Sequence, residues 1–134
     1  MGKCAHRHEV HAIKNEKLGT LTVIEGRIRN NFTESRELIR LEAELLDSEG
    51  KALATQTQVA GVSLNSFQLE VLDKEELEKA LKNRLDIISA NINVLPGSEV
   101  PFTMVFTGIP AGAVEYKVRI VEASATKRPG SLTE

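Results

Sequence analysis

Cys4, His6, His8 and His11 are the residues whose types and spacing most readily suggest chemistry. The pattern Cys-x-His-x-His-x-x-His supplies one thiol and three imidazoles, donors that suit zinc or nickel. A structural metal site needs a rigid frame, and this segment is read as having no apolar anchors. The segment therefore reads as a flexible polar arm that happens to be rich in histidine. Metal capture by these four residues is the alternative. No further histidine or cysteine exists in the chain. A serine nucleophile thus has no base outside the arm, the lone thiol forms no internal disulfide, and no CxxC pair can hold zinc. No serine sits in a G-x-S-x-G elbow.

The carboxylates Glu75, Glu76 and Glu78 could serve acid–base chemistry, but their spacing fits the solvated face of a capped helix better. Pro96-Gly97 and the glycines between Gly108 and Gly112 are isolated turn residues, not a phosphate cradle. Asn31 heads an N-x-[ST] sequon, which matters only in a eukaryotic secreted protein. Asn30, Asn31, Asn91 and Asn93 stand at the ends of extended runs, where asparagine bonds neighbouring backbone and closes turns. No residue is assigned a catalytic, cofactor-binding or metal-binding role, no cofactor is expected, and the chain is read as non-enzymatic.

The elements that would position these residues are mostly strands. Leu18–Arg29 is rich in Thr, Val and Ile, with Ile24, Gly26 and Ile28 on one face; Gly26 implies a bulge or a close backbone approach. Ile39, Leu41, Ala43 and Leu45 alternate with charged residues at period two. Asp47 to Gly50 is a turn signal, and Lys51–Val59 returns as a partly exposed edge with Leu53 and Val59 facing in. Residues 60–72 read as a loop, with Phe67, Leu69 and Leu72 tucked onto the body. Asp73 and Glu76 have capping-box spacing. Leu77, Ala80, Leu81, Leu85 and Ile88 form an apolar stripe, so one helix is predicted over about residues 73–88. Ile92 and Val94, then Phe102, Met104 and Phe106, then Val114, Tyr116, Val118 and Ile120 supply further strands.

Five to seven strands in sequence with short turns favour a mostly β fold: an immunoglobulin-like antiparallel sandwich with one inserted helix. The organisation expected is a flexible arm over 1–12, a sandwich domain over 13–123 and a flexible tail over 124–134. The 134 residues suffice for a self-standing core, with 41% apolar and 27% charged residues. A net charge of −2 with interspersed signs, and only five aromatic Phe and Tyr residues, argue against nucleic-acid binding and charge-driven membrane contact. No apolar run is long enough to span a bilayer.

The stretch from Leu21 to Phe32, with Ile39-Arg-Leu, Leu46 to Lys51, Ala60-Gly61, Asn91 to Gly97, Pro101-Phe102 and Val105-Phe106, resembles the bacterial domain-of-unknown-function family numbered thirty-four twenty-six. The likeness spans roughly residues 13–122. It implies a domain displayed outside the cytoplasm, behind a zinc ribbon and a single transmembrane helix, neither of which has a counterpart here. It implies no enzymatic activity. The expected function is a non-catalytic binding or scaffolding module with a protein partner, periplasmic or in the cell envelope, anchored through a segment absent from this chain. The strand Lys51–Val59 and the loop 60–72 are the expected contact surface. The alternatives are the metal-binding arm and a soluble cytoplasmic protein-interaction domain.

Overall fold

A computed structural model describes residues 3–108 and 110–126. Six strands and three short helices follow in order: β1 (Cys4–Asn15), β2 (Gly19–Asn30), β3 (Arg36–Leu46), β4 (Ala52–Val59), α1 (Ser66–Val71), α2 (Lys74–Leu81), α3 (Arg84–Ala90), β5 (Glu99–Thr107) and β6 (Glu115–Ala125). The strands form two antiparallel sheets, ordered β1-β2-β5 and β4-β3-β6. The chain crosses between sheets after β2, β4 and β5. In immunoglobulin terms β1, β2 and β5 take the places of strands A, B and E, and β3 and β6 those of C and F. The helices occupy the connection that would carry strand D.

Alternation along the strands explains the layers. Ile39, Leu41, Ala43 and Leu45 of β3 meet Ile24 and Ile28 of β2 and Phe102, Met104 and Phe106 of β5 between the sheets. In the first sheet β2 and β5 bury residues on both faces. Leu21, Val23 and Val105 point the other way and pack under Val62, Leu64, Leu69, Leu77 and Leu81, from the helices and the segment before them. The result is sheet on sheet, with a helical layer over β2 and β5.

Several expectations change. Residues 4–12 are not a loose arm: they belong to a twelve-residue strand paired with β2 from Cys4↔Asn30 to Asn15↔Gly19. The strand is polar because only alternate residues touch apolar neighbours, Cys4 and Val10 against the inter-sheet core and Ile13 against the helical layer. Its backbone pairing supplies the rest of its order. Ser124 and Ala125, expected in the tail, end β6; the remainder of that tail, from 127, lies outside the described residues.

The single helix expected over 73–88 is two helices, interrupted at Lys82 and Asn83. Asn83 caps α3 by accepting from the Asp86 N–H at 3.0 Å. The break turns the predicted stripe: Leu77 and Leu81 are buried, whereas Leu85 and Ile88 are exposed. The expected loop 60–72 contains α1, held by an Asn65–Gln68 capping box, with Leu69 buried and Phe67 exposed instead of tucked in. Ile92 and Val94 form no strand, only an isolated bridge between Val94 and Arg36. Leu53 faces outward. At Gly26 the register runs through without a shift, so the close approach is the operative reason: a Cβ there would lie 2.8 Å from the His8 Cα and strike the Arg7 carbonyl.

Candidate functional site: a groove beside an open sheet edge

The Cys/His set does not converge. Strand alternation places Cys4, His6 and His8 on the face of β1 opposite to His11. The His6 and His8 rings stack with centroids 5.3 Å apart. The His11 Nε2 lies 3.7 Å from the Glu25 Oε1 across the strand pair. Among the described residues no three His, Cys, Asp or Glu side chains cluster as metal ligands. Burial pushes the Cys4 thiol up, partly offset by the Arg36 charge. Burial, with the His8 neighbour adding to it, pushes His6 below its ordinary value.

The helix carboxylates are largely committed to structure. The Glu76 Oε1 accepts from the Asp73 N–H at 3.0 Å while the Asp73 Oδ1 accepts from the Glu76 N–H at 2.8 Å. Glu75 pairs with Lys79 at 3.4 Å.

Of the four asparagines, Asn30 and Asn91 are fully buried and Asn31 and Asn93 are exposed. The Asn91 amide stands in the β3–β4 ladder. Its Oδ1 accepts from the Ile39 N–H at 2.9 Å, and its Nδ2 donates to the Ile39 and Ala60 carbonyls at 3.0 and 2.9 Å. Asn30 donates to the Glu34 and Val94 carbonyls and accepts from the Phe32 N–H. Asn15, which sequence inspection missed, ties the end of β1 to the Leu69 and Leu72 carbonyls of the α1 region. All three are structural pins.

The strand edges differ. On β5 the Thr103 and Val105 carbonyls accept from Gln58 and Gln56 Nε2 at 2.6 and 3.0 Å, and the Pro101 carbonyl accepts from the Gly61 N–H at 2.8 Å. Side chains and a turn thus close that edge. The β6 edge carries Glu115, Lys117, Arg119 and Glu122 and slips register near Val121. The β1 edge carries Arg7, Glu9 and Lys14. Charges and bulges of this kind discourage strand addition.

β4 has neither. Its sequence ALATQTQV holds no charge and no proline, and its register runs unbroken from Ala54 to Val59. The Ala60 N–H bonds the Ile39 carbonyl at 3.0 Å. The antiparallel alternation then turns the backbone groups of Ala54, Gln56 and Gln58 toward β3, and those of Thr55, Thr57 and Val59 outward. Among the described residues nothing bonds this outer edge.

The edge borders a groove of about 840 Å³, open along one side, between β4, β5 and α2. Leu77, Leu81, Ile87, Val59 and Val105 give it apolar walls; Lys74, Lys82, Arg40 and Glu78 line it with charge. The only part of this surface that sequence reasoning found was β4 and its edge position. The α2 wall was missed, although Lys74, Glu78 and Lys82 stand at helical spacing beside the buried Leu77 and Leu81.

Fold and surface together define a β-sandwich with a helical cover and, among the described residues, an uncharged strand edge left unpaired at β4. A family model described as "Protein of unknown function (DUF3426)" matches residues 6–120, and the chain belongs to that family. Comparison with curated proteins and with solved structures returns no significant match.

Proposed function

We propose that this chain is a non-catalytic protein-interaction module that receives an extended segment of a partner at the outer edge of β4, and that it works outside the cytoplasm of a bacterial cell on a membrane-anchored protein. The observation that carries the binding role is the β4 edge itself. Natural edge strands of this length are normally blunted, because unpaired N–H and C=O groups recruit other chains. An uncharged edge, regular from Ala54 to Val59 and beside a groove with apolar walls, has the form used in strand-addition recognition, where backbone bonds supply affinity and flanking pockets supply specificity. The location is supported by the family resemblance in the sequence. No helix among the described residues is long and apolar enough to cross a membrane.

The test of the binding role is capture of partners from native membranes by the full-length protein, with Thr57→Pro as the comparison. Thr57 directs its N–H outward, so proline there removes a recruiting donor without removing a bond to β3, a tolerated place for proline. Loss of a specific partner in Thr57→Pro, with retention in Thr57→Ala, is the expected result. Equal capture by all three proteins would overturn the use of this edge. A phosphatase reporter fused after Glu134 of the full-length protein tests location. Activity outside the cytoplasm is expected, and activity only inside would make this a cytoplasmic interaction domain.

A further inference from the structure

We infer that the segment accepted at β4 is acidic, with carboxylates four residues apart flanking an apolar side chain. This rests on the strand-addition reading and specifies its ligand. The groove lining contains three cations, Arg40, Lys74 and Lys82, against one carboxylate, Glu78. Arg40 is already drawn to Glu122 at 3.7 Å. Lys74 and Lys82 have no carboxylate within 4.0 Å among the described residues, whereas Lys79 and Lys17, elsewhere on this side, lie 3.4 and 4.0 Å from Glu75 and Glu76. The two free ammonium groups are thus the charges left for a ligand.

Their spacing sets a register. Lys74 and Lys82 are eight residues apart along α2 and its C-cap, about 12 Å at the helical rise. An extended strand covers roughly 13 Å in four residues, and residues at i, i+2 and i+4 share one face. Two carboxylates at i and i+4 therefore reach both lysines. Glu78 stands midway between the lysines, with Leu77 and Leu81 beside it facing the groove, so the side chain between the two carboxylates is an uncharged, apolar one that lies past Glu78 against the leucines. The other edge of the incoming strand meets the outward backbone groups of Thr55, Thr57 and Val59. Opposite charges across such a contact favour the correct partner and register more than they add to raw affinity.

Fluorescence anisotropy of a labelled peptide Thr-Glu-Thr-Val-Thr-Glu-Thr, titrated with the whole chain at low salt, tests the inference. The controls are the same peptide with both glutamates replaced by lysine, and a backbone N-methylated acidic peptide. Binding of the acidic peptide at least ten-fold tighter than the lysine peptide is expected. Lys74→Glu with Lys82→Glu should reverse that preference, and N-methylation or Thr57→Pro should weaken binding at least ten-fold. Equal binding of the two charge forms, or binding of neither, overturns the acidic ligand. If partner capture from membranes still depends on Thr57 in that case, strand addition at β4 stands and only the charge assignment falls. If capture is indifferent to Thr57, strand addition itself falls.

Discussion

Replacing Asn91 with alanine removes an amide that substitutes for part of a sheet ladder. Two buried backbone groups then lose their partners: the Ile39 N–H, held at 2.9 Å, and the Ala60 carbonyl, held at 2.9 Å. The Ile39 carbonyl keeps the Ala60 N–H at 3.0 Å and is not orphaned. Each orphaned buried group costs about 1–3 kcal/mol, so the loss should be about 3 kcal/mol, a sizeable share of a typical domain's stability. The neighbouring Leu38 keeps its own tie in this variant, because the bond is to the Asn91 main chain. It sits at φ 49, a conformation unfavourable for leucine, and its N–H is fixed at 2.8 Å by the Asn91 carbonyl. Urea unfolding followed by far-ultraviolet circular dichroism reads this as a midpoint lowered by about 1.5 M with an unchanged slope. Asn91→Asp should be worse than alanine at neutral pH, because it sets a carboxylate against the Ala60 and Ile39 carbonyls, and should recover as the pH falls. A loss below about 1 kcal/mol for Asn91→Ala would refute the ladder role.

Three other outcomes follow from the same geometry. Gly26→Ala should destabilise by roughly 2 kcal/mol or more and loosen β1, measured by amide exchange, because the new methyl meets backbone of Arg7 and His8, which cannot move without breaking the strand pair. Asp73→Ala should cost about 1 kcal/mol by unlacing the α2 capping box, with Asp73→Ser recovering most of it in thermal melts. The His6 value is depressed by burial and by His8, so its contribution is complete above the ordinary histidine value of about 6.5 and is lost as the pH falls through the lower folded value. Stability measured from pH 7.5 down to 5 should therefore decline with a component that His6→Gln removes; an unchanged profile in that variant would contradict the burial of the ring.

The strands β2, β3 and β5 were legible from their runs of β-branched and apolar residues, β3 through a core that buries one residue in two and β2 and β5 through burial on both faces. β3 is the clearest case, with Ile39, Leu41, Ala43 and Leu45 all fully buried. β1 was not legible because its order comes from backbone pairing to β2, which leaves no apolar period in His6, Arg7, His8 and Glu9. The break between α2 and α3 was hidden for a related reason. Leu85 and Ile88 continue the helical spacing of Leu77 and Leu81, yet Asn83 starts a new helix that leaves Leu85 76% exposed. α1 left a signal that was overlooked, the Asn65–Gln68 capping pair, in a helix too short to show an apolar stripe. At the candidate site, the edge position of β4 was visible in its Thr and Gln content. The lysines opposite were not, since a sequence does not say which helix faces which strand.

β4 is the proposed contact surface, and Leu85 and Ile88 of α3 are among the exposed apolar side chains that could compete with it for a partner. The most direct test is a photocrosslinking amino acid placed in cells at Thr55 in one full-length variant and at Leu85 in another, with adducts mapped by mass spectrometry. The account predicts that Thr55 crosslinks a defined extended segment of a partner and that the adduct disappears with Thr57→Pro. Adducts from Leu85 alone would contradict it and move the interaction surface to α3.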